Sequence, residues 1–522
     1  MPKHSIRGAT AATALVCLAA FGPVPSSSAA AAPPSAAPHP AGQPGAAGSS
    51  RFVPGPCPKP PEPIEALSDA QCGYLEVPEN RSRPGGRTIK LAVARIPAAS
   101  DKPAADPVVF MAGGPGADTF DDIPFLVDSG LNKDRELIVM AQRGNRYDQP
   151  NLACPEVDRF NGQAVGLGYD AQQAERIMLK AVTDCRTRLM ADGVDLSAYN
   201  STENAADFAD LRKALDIPRW NVYGYSYGSN LALTYLRLHP EGIRAVAIDS
   251  IAPSQFVTLP WTWGSTAEGI RNIFAACAAQ PACKDRYPDL PRLLTEQVRE
   301  LEARPLTLNV TPPDGGKPVK TVLDGGALLN LIVAFTPRPK DMPAALEELS
   351  KGNPERFAQA RAAGSVQKVG EFAHGLTNSI ACSEWAPGYS ESDVLKAGQK
   401  AYPGWPDTVL AQPPQLPFQY PVCGIWNVPD RASVQRVPTS SSVPALVISG
   451  TFDVKTGASW ARGVARNLSN STSVQVPGIG HWVVPQSPCA QSVLASFFAH
   501  PTAPDTRCVD DLEPQPFTII PK

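Results

Sequence analysis

The sequence contains few histidines and lacks the motifs of metal, nucleotide and nucleic-acid binding. Six histidines occur in 522 residues. None stands at the spacing of metal ligands and no Cys-x-x-Cys pair is present, so neither a metal nor another cofactor is expected. No lysine followed by serine or threonine completes a phosphate-binding loop. The net charge is −3 without a basic stripe, so nucleic acid is not an expected partner.

Apolar runs are short, so no stable membrane insertion is expected. Near the N-terminus a positively charged start precedes the apolar run Ala11 to Phe21, and Ser28-Ala29-Ala30 offers small residues for cleavage. These features predict a secretory signal peptide over residues 1–30. Residues 31–50, rich in Ala, Pro, Ser and Gly, are expected to form a disordered spacer or propeptide. The protein is therefore predicted to be secreted, either extracellular or associated with the cell wall.

The cysteines number eleven, and one of them, Cys17, lies in the predicted signal peptide. An even number remains, which in an exported protein favours disulfides over metal or thiol chemistry. The sequence does not determine their connectivity. The simplest expectation pairs neighbours along the chain, because each bridge would then close a local loop: 57–72, 154–185, 277–283, 382–423 and 489–508.

The pentapeptide Gly224-Tyr225-Ser226-Tyr227-Gly228 predicts a serine nucleophile. The run Trp220 to Tyr223 is typical of a short buried strand, and Ser229 to Leu238 has helical periodicity. Glycines on both sides of Ser226 allow a sharp strand-to-helix turn that exposes its hydroxyl, with the amide of Tyr227 facing a developing oxyanion. The alternative is an ordinary glycine-rich turn with a solvent-facing serine.

His481 is the expected general base. It lies in a short loop after the strand-like run Ser473 to Val476, at the sheet edge where Ser226 is also expected. His239 stands at a helix C-terminus and His374 in a helical stretch, positions where a histidine usually caps or packs. The remaining histidines lie in segments expected not to fold or in a proline-rich tail: His4, His39 and His500.

The third catalytic residue is expected between the serine and the histidine in chain order. Asp453 follows the apolar strand Pro444 to Gly450 and is positioned to accept the Nδ1 proton of His481. Asp249, at the end of the strand Ala245 to Ile248, is the competing candidate.

A glycine-rich loop, Ala112-Gly113-Gly114-Pro115-Gly116, follows the strand Val108 to Met111. Such a loop can bring a backbone amide, here assigned to Gly114, to the substrate carbonyl oxygen beside the amide of Tyr227. The alternative is a tight turn that only reverses the chain.

Strand-like and helical patterns alternate along the chain, which predicts an α/β fold with a mostly parallel sheet covered by helices. The strand-like runs are Thr88–Ile96, Val108–Met111, Leu137–Met140, Trp220–Tyr223, Ala245–Ile248, Leu446–Ser449 and Ser473–Val476. Between Pro253 and Pro438 amphipathic helices dominate, so a large helical cap is expected over the catalytic end of the sheet. The predicted divisions are a first core part at 51–252, the cap at 253–438, and a second core part with a disulfide-bonded tail at 439–522.

With these motifs the chain resembles the secreted α/β-hydrolase serine aminopeptidases, namely the tripeptidyl aminopeptidase group of actinobacteria and the related proline iminopeptidases. The matching pieces are Gly113-Gly114-Pro115-Gly116, Gln142-Arg143-Gly144, the serine pentapeptide, the Asp453 strand end and Gly480-His481. The resemblance implies an α/β-hydrolase fold. It also implies cleavage of short peptides from the N-terminus of peptide substrates through an acyl-enzyme intermediate.

The resemblance also suggests a substrate-binding residue. An aminopeptidase must bind a free ammonium group, and a buried carboxylate does so economically. Glu384 in the predicted cap, beside Cys382, resembles the Cys-x-Glu stretch near the site of related aminopeptidases; the alternative is a surface glutamate at a helix end. Ala112 and Ala141 stand where many proline iminopeptidases have histidine and aspartate, which favours tripeptidyl-type over strict proline specificity.

Two other functions stay open on the sequence. A carboxylesterase or amidase acting on small or lipid-like esters would have an apolar pocket without an amine-binding carboxylate. A non-catalytic binding protein is the third alternative, against which an intact Ser226, Asp453 and His481 argue. The expected partner is a peptide substrate, and the protein is expected to be a monomer.

Overall fold

The computed structural model describes residues 50–83, 85–169, 171–313, 315–334 and 338–521. The predicted signal peptide and nearly all of the predicted spacer lie outside the described residues. The described residues belong to a single unit, Ala47–Lys522. None of their helices is both long enough and apolar enough to cross a membrane.

The described strands form one large sheet and one small hairpin. The strands are β1 Arg51–Pro54, β2 Gln71–Pro78, β3 Thr88–Ile96, β4 Val108–Met111, β5 Leu137–Met140, β6 Trp220–Ser226, β7 Ile243–Ile251, β8 Leu306–Val310, β9 Val319–Leu323, β10 Ala445–Gly450 and β11 Ser471–Val476. The large sheet has the order β1-β2-β3-β5-β4-β6-β7-β10-β11. Its neighbours from β5 to β11 pair in parallel, whereas β1, β2 and β3 add an antiparallel edge. The strands β8 and β9 pair with each other.

Helices connect these strands. They are α1 Ile123–Asp128, α2 Pro155–Ala164, α3 Gln172–Ala191, α4 Ser201–Ala214, α5 Tyr227–Leu238, α6 Thr262–Ala279, α7 Pro281–Arg286, α8 Leu290–Ala303, α9 Gly325–Ala334, α10 Met342–Ser350, α11 Glu355–Ala363, α12 His374–Ile380, α13 Glu391–Ala401, α14 Asp407–Leu410, α15 Gln419–Trp426, α16 Ala432–Gln435, α17 Ala458–Ala465 and α18 Pro488–Ala499. A π-helical turn, Ala381–Trp385, continues α12.

Both faces of the central strands are buried. In β4, Val109 and Met111 belong to one hydrophobic cluster, and Val108 and Phe110 belong to the cluster on the other side. Successive side chains of a strand point to opposite faces, so a strand that is buried on both faces needs a continuous apolar run. This requirement explains why the central strands could be read from the sequence as apolar runs rather than as alternating patterns.

The predicted α/β architecture with a mostly parallel sheet is confirmed. Three predicted strands have the observed bounds, and the other four are shorter than observed at one or both ends. The segment between β7 and β10, residues 252–444, is mainly helical and also carries the β8–β9 hairpin; we call it the insert. The predicted domain boundaries within it stay a prediction.

The described residues contain five disulfide bonds, and each joins cysteines that are neighbours along the chain. They are Cys57–Cys72, Cys154–Cys185, Cys277–Cys283, Cys382–Cys423 and Cys489–Cys508. The expected local pairing is therefore confirmed.

Candidate active site

The turn at Ser226 joins β6 to α5 in a conformation that few residues adopt. Ser226 has φ 54° and ψ −125°, a strained backbone for a residue with a side chain. A Cβ on Gly224 would collide with the carbonyl oxygen of Gly228, and a Cβ on Gly228 would collide with that of Met111 in β4. The two glycines of the motif therefore allow α5 to start tightly against the neighbouring strand.

His481 and Asp453 form a hydrogen-bonded pair at the carboxyl ends of β10 and β11. Nδ1 of His481 lies 2.9 Å from Oδ2 of Asp453, which is 1% exposed. Oδ1 of Asp453 accepts the backbone amides of Lys455 and Thr456 at 2.8 and 2.9 Å. Burial alone would raise the pKa of Asp453, but the interaction with His481 and the hydrogen bonds lower it. An ionised Asp453 holds the proton on Nδ1 of His481 and leaves Nε2 free to act as a base.

Thr456 contacts both residues of this pair and was not predicted from the sequence. Its hydroxyl donates to Oδ2 of Asp453 at 2.6 Å and lies 3.2 Å from Nδ1 of His481. The hydroxyl therefore helps to hold the carboxylate toward the imidazole. The signal available in the sequence was a threonine three residues after an acid at a strand end, which is too common a pattern to single out.

Asp249, the competing acid, has other partners. Although it is fully buried, its carboxylate accepts hydrogen bonds from Tyr223 at 3.2 Å and from the amides of Val483 and Val484 at 3.0 and 2.9 Å. Burial raises the pKa of Asp249, and the two amides oppose that rise. Asp249 thus anchors the loop that follows His481, and it makes no hydrogen bond to the imidazole itself.

A cavity of about 180 Å³ lies at Ser226; we call it the serine cavity. Gly114 and Tyr227, the two residues predicted to supply oxyanion amides, line this cavity with Ser226. Lys455, another lining residue, was not predicted. Burial lowers the pKa of the Lys455 ammonium, partly opposed by the charge of Asp453. Ser226 and one described cation, Lys455, therefore border a mostly apolar cavity.

Glu384 lies on the π-helical turn, only 2% exposed. Its carboxylate accepts hydrogen bonds of 2.7 Å from both the amide and the hydroxyl of Ser201, the first residue of α4. The Ser201 hydroxyl lies 3.0 Å from that of Tyr227. Burial raises the pKa of Glu384 to about 7, and the Ser201 hydrogen bonds oppose the rise. Its neighbour Trp385 lines the serine cavity, and Glu384 is not among the described lining residues.

His374 and His239 lie at helix ends and contact residues outside the pair formed by His481 and Asp453. Nε2 of His374 lies 2.8 Å from Asp158, at the start of α12. His239 caps the C-terminus of α5, as predicted, and packs near the ring of Tyr235. Across the described part of the chain, no group of three or more His, Cys, Asp or Glu residues could hold a metal ion.

Comparisons with known proteins match both parts of the core. A family model described as "alpha/beta hydrolase fold" matches residues 106–306, and one described as "TAP-like protein" matches residues 415–509. The chain is 23% identical over 480 residues to serine protease Hip1 of Mycobacterium tuberculosis, covering 86% of this chain and 89% of that protein.

Two shorter similarities cover less than half of either protein. Tripeptidyl aminopeptidase of Streptomyces coelicolor is 27% identical over 205 residues, which is 37% of this chain and 36% of that protein. Carboxylesterase B of M. tuberculosis is 28% identical over 231 residues, which is 42% of this chain and 43% of that protein. Given these matches and the sheet topology, the chain has the α/β-hydrolase fold and is a serine hydrolase, and its relatives agree with the resemblance to the α/β-hydrolase aminopeptidases.

Proposed function

We propose that the protein is an exported serine peptidase that releases short peptides from the N-terminus of its substrates. The observation that carries the proposal is the 2.9 Å hydrogen bond between His481 Nδ1 and Asp453 Oδ2, at the sheet edge that also ends in the strained turn at Ser226. A base oriented by a buried carboxylate, together with a serine on such a turn, is the arrangement used for acyl transfer.

In the proposed reaction, Ser226 Oγ attacks the scissile carbonyl carbon while His481 Nε2 takes the hydroxyl proton. Asp453 stabilises the resulting imidazolium, and the amides of Tyr227 and Gly114 donate to the oxyanion. The imidazolium then protonates the leaving amine, which departs as the shortened peptide. Water, deprotonated by His481, finally hydrolyses the acyl-enzyme and restores Ser226.

Peptide substrates and export have separate support. The relatives that match the chain include proteins named serine protease and tripeptidyl aminopeptidase. Five disulfides suit an oxidising compartment outside the cytosol. Recognition of the substrate ammonium by Glu384 stays a prediction. Its carboxylate is bonded to Ser201, so it would have to exchange these hydrogen bonds for the ammonium group.

The alternative function, hydrolysis of small or lipid-like esters, is favoured by one observation. None of the described residues that line the serine cavity is a carboxylate. An ester substrate would need no partner for an ammonium group there.

The test compares hydrolysis of tripeptide anilides with a free or an acetylated N-terminus and of matched esters. We expect the wild type to prefer free peptides, and Ser226→Ala to abolish turnover and labelling by a serine-directed phosphonate, because loss of the nucleophile costs many powers of ten. Ser492→Ala, an exposed serine on α18, is the control and should keep full activity. Hydrolysis of esters without hydrolysis of peptides would replace the proposed function by the esterase alternative.

A further inference from the structure

The serine cavity adjoins a larger chamber. This side chamber has a volume of about 520 Å³ and shares four lining residues with the serine cavity: Phe372, Thr377, Gln415 and Leu416. None of the described residues that line either cavity is an aspartate or a glutamate. A desolvated ammonium group is costly without a charged or hydrogen-bonding partner. A carboxylate partner for a free peptide N-terminus must therefore lie beyond these two cavities.

Carboxylates line a third pocket, which adjoins the side chamber. A pocket of about 360 Å³, which we call the acidic pocket, has four carboxylates in its wall: Asp118, Asp121, Asp158 and Glu371. It shares Asn161, Gln367, Phe372 and His374 with the side chamber. Phe372 lines all three cavities.

Asp118 provides the evidence that this pocket binds a ligand. It is 6% exposed, and its Oδ1 accepts the amide of Phe120 at 3.0 Å. Its buried Oδ2 accepts no hydrogen bond from the described residues, and the nearest cation, Nη1 of Arg146, is 4.0 Å away. Burial raises the pKa of Asp118 to about 7. A buried carboxylate oxygen without a hydrogen bond is destabilised, and an arriving ammonium group would supply what it lacks.

The other three carboxylates differ in how far they are already used. Asp158 accepts hydrogen bonds from His374 and from the amide of Gly370, both at 2.8 Å, and therefore holds the wall together. Glu371 forms a 3.0 Å ion pair with Arg146. Asp121 is exposed and makes no ion pair or side-chain hydrogen bond with the described residues. Asp118 and Asp121 are thus the two carboxylates open to a new cation.

We propose that the acidic pocket binds the free α-ammonium group of the peptide substrate through Asp118, assisted by Asp121. The inference rests on the proposed function and deepens it. With the amine in the acidic pocket and the scissile carbonyl at Ser226, the released peptide reaches from one pocket to the other. The serine cavity and the acidic pocket share only Phe372 among their described lining residues, so we expect the released peptide to be longer than one residue. Each extended residue spans about 3.3–3.6 Å. A single-residue anilide is therefore expected to be a poor substrate.

The experiment measures kcat/KM for anilides of one to four neutral residues, each with a free and an acetylated N-terminus. For Asp118→Asn, we expect kcat/KM on the best free peptide to fall about 10- to 100-fold, since a charge-assisted hydrogen bond is lost. The loss on its acetylated counterpart should be at least ten times smaller. Asp121→Asn should also lower kcat/KM more on the free peptide than on the acetylated one, but by a smaller factor than Asp118→Asn. Glu296→Gln, an exposed acid on α8, is the control.

Folding is checked by thermal unfolding and by phosphonate labelling of Ser226. Should Asp118→Asn fail to fold, the exposed Asp121 position still decides the question through the ratio of free to acetylated rates. Several results would overturn the inference: equal losses on free and acetylated peptides, a free-amine preference unchanged in both variants, or a preference that depends on a lysine side chain rather than on the N-terminus. In those cases the wild type still hydrolyses free peptides, so the proposed function survives. A wild type active only on esters would overturn both.

Discussion

Asp453 and Asp249 show how two buried carboxylates at neighbouring strand ends acquire different tasks. Asp453 faces the imidazole of His481, and its pKa is lowered although burial opposes this. Asp249 faces backbone amides of Val483 and Val484, and burial raises its pKa. The partner of each carboxylate, rather than its burial, separates a role in the proposed chemistry from a role in holding a loop.

Substitution of the two acids should separate these roles. Asp453→Asn is expected to lower kcat by roughly 10⁴, because the amide no longer fixes the tautomer of His481 or stabilises its charged form. Asp249→Asn is expected to lower the free energy of unfolding by about 1–3 kcal/mol, because its amide group would face the Val484 donor. Steady-state kinetics and urea unfolding of both variants measure the two effects. A 10⁴-fold loss of kcat in Asp249→Asn alone would reverse the assignment.

At the scale of elements, the proposed nucleophile depends on how closely α5 packs against β4. Gly228, in the first turn of α5, lies so near the carbonyl of Met111 that no side chain fits between them. Protein interiors are close-packed and absorb little extra volume, so a methyl group there must displace the helix start or the strand. Displacement of either element would move the amide of Tyr227, which is the proposed oxyanion donor.

Gly228→Ala should therefore lower both stability and activity. We expect a loss of about 1–3 kcal/mol in the free energy of unfolding from overpacking, with phosphonate labelling of Ser226 slowed as well. Gly264→Ala is the matched control, since a Cβ at Gly264 within α6 meets no atom within 4 Å. It should be neutral or slightly stabilising, because alanine favours helix. A Gly228→Ala protein with wild-type melting and labelling would contradict this account of the turn.

At the scale of the whole molecule, one buried acid links the insert to the core. Glu384 of the insert bonds to Ser201 at the start of α4, and Ser201 lies beside Tyr227 of α5. Burial raises the pKa of Glu384 to about 7. A carboxyl with a raised pKa in the folded state binds its proton more tightly there than in the unfolded chain. The contribution of Glu384 to the free energy of unfolding therefore declines as the pH rises from about 4.5 to 7.

The stability difference between the wild type and Glu384→Gln should accordingly depend on pH. The substituted amide side chain stays neutral, so the variant escapes the cost of ionising a buried acid. Its stability relative to the wild type should rise between pH 4.5 and pH 7, by up to about 3 kcal/mol. Melting temperatures of wild type, Glu384→Gln and the control Glu296→Gln across this range provide the measurement. A flat difference would show that Glu384 ionises as easily in the folded protein as in the unfolded chain.

The sequence by itself determined the features that depend on local conformation. Glycines at 224 and 228 are demanded by one tight turn, and apolar runs mark strands buried on both faces. The even number of cysteines predicted disulfides, whereas their neighbour pairing was only the simplest expectation until the fold showed it. The strand ends carrying Ser226, Asp453 and His481 follow from these patterns, since parallel strands end at one edge.

Only the tertiary structure decided the contacts between distant segments. These include the choice of Asp453 over Asp249 as partner of His481, the pairing of Glu384 with Ser201 at a separation of 183 residues, and the gathering of Asp118, Asp158 and Glu371 around one pocket. Such contacts depend on how helices and loops pack over the sheet, and a local pattern carries no record of that packing. For this reason the sequence predicted the proposed reacting groups, whereas the residues that line the proposed substrate pockets became apparent only in the folded structure.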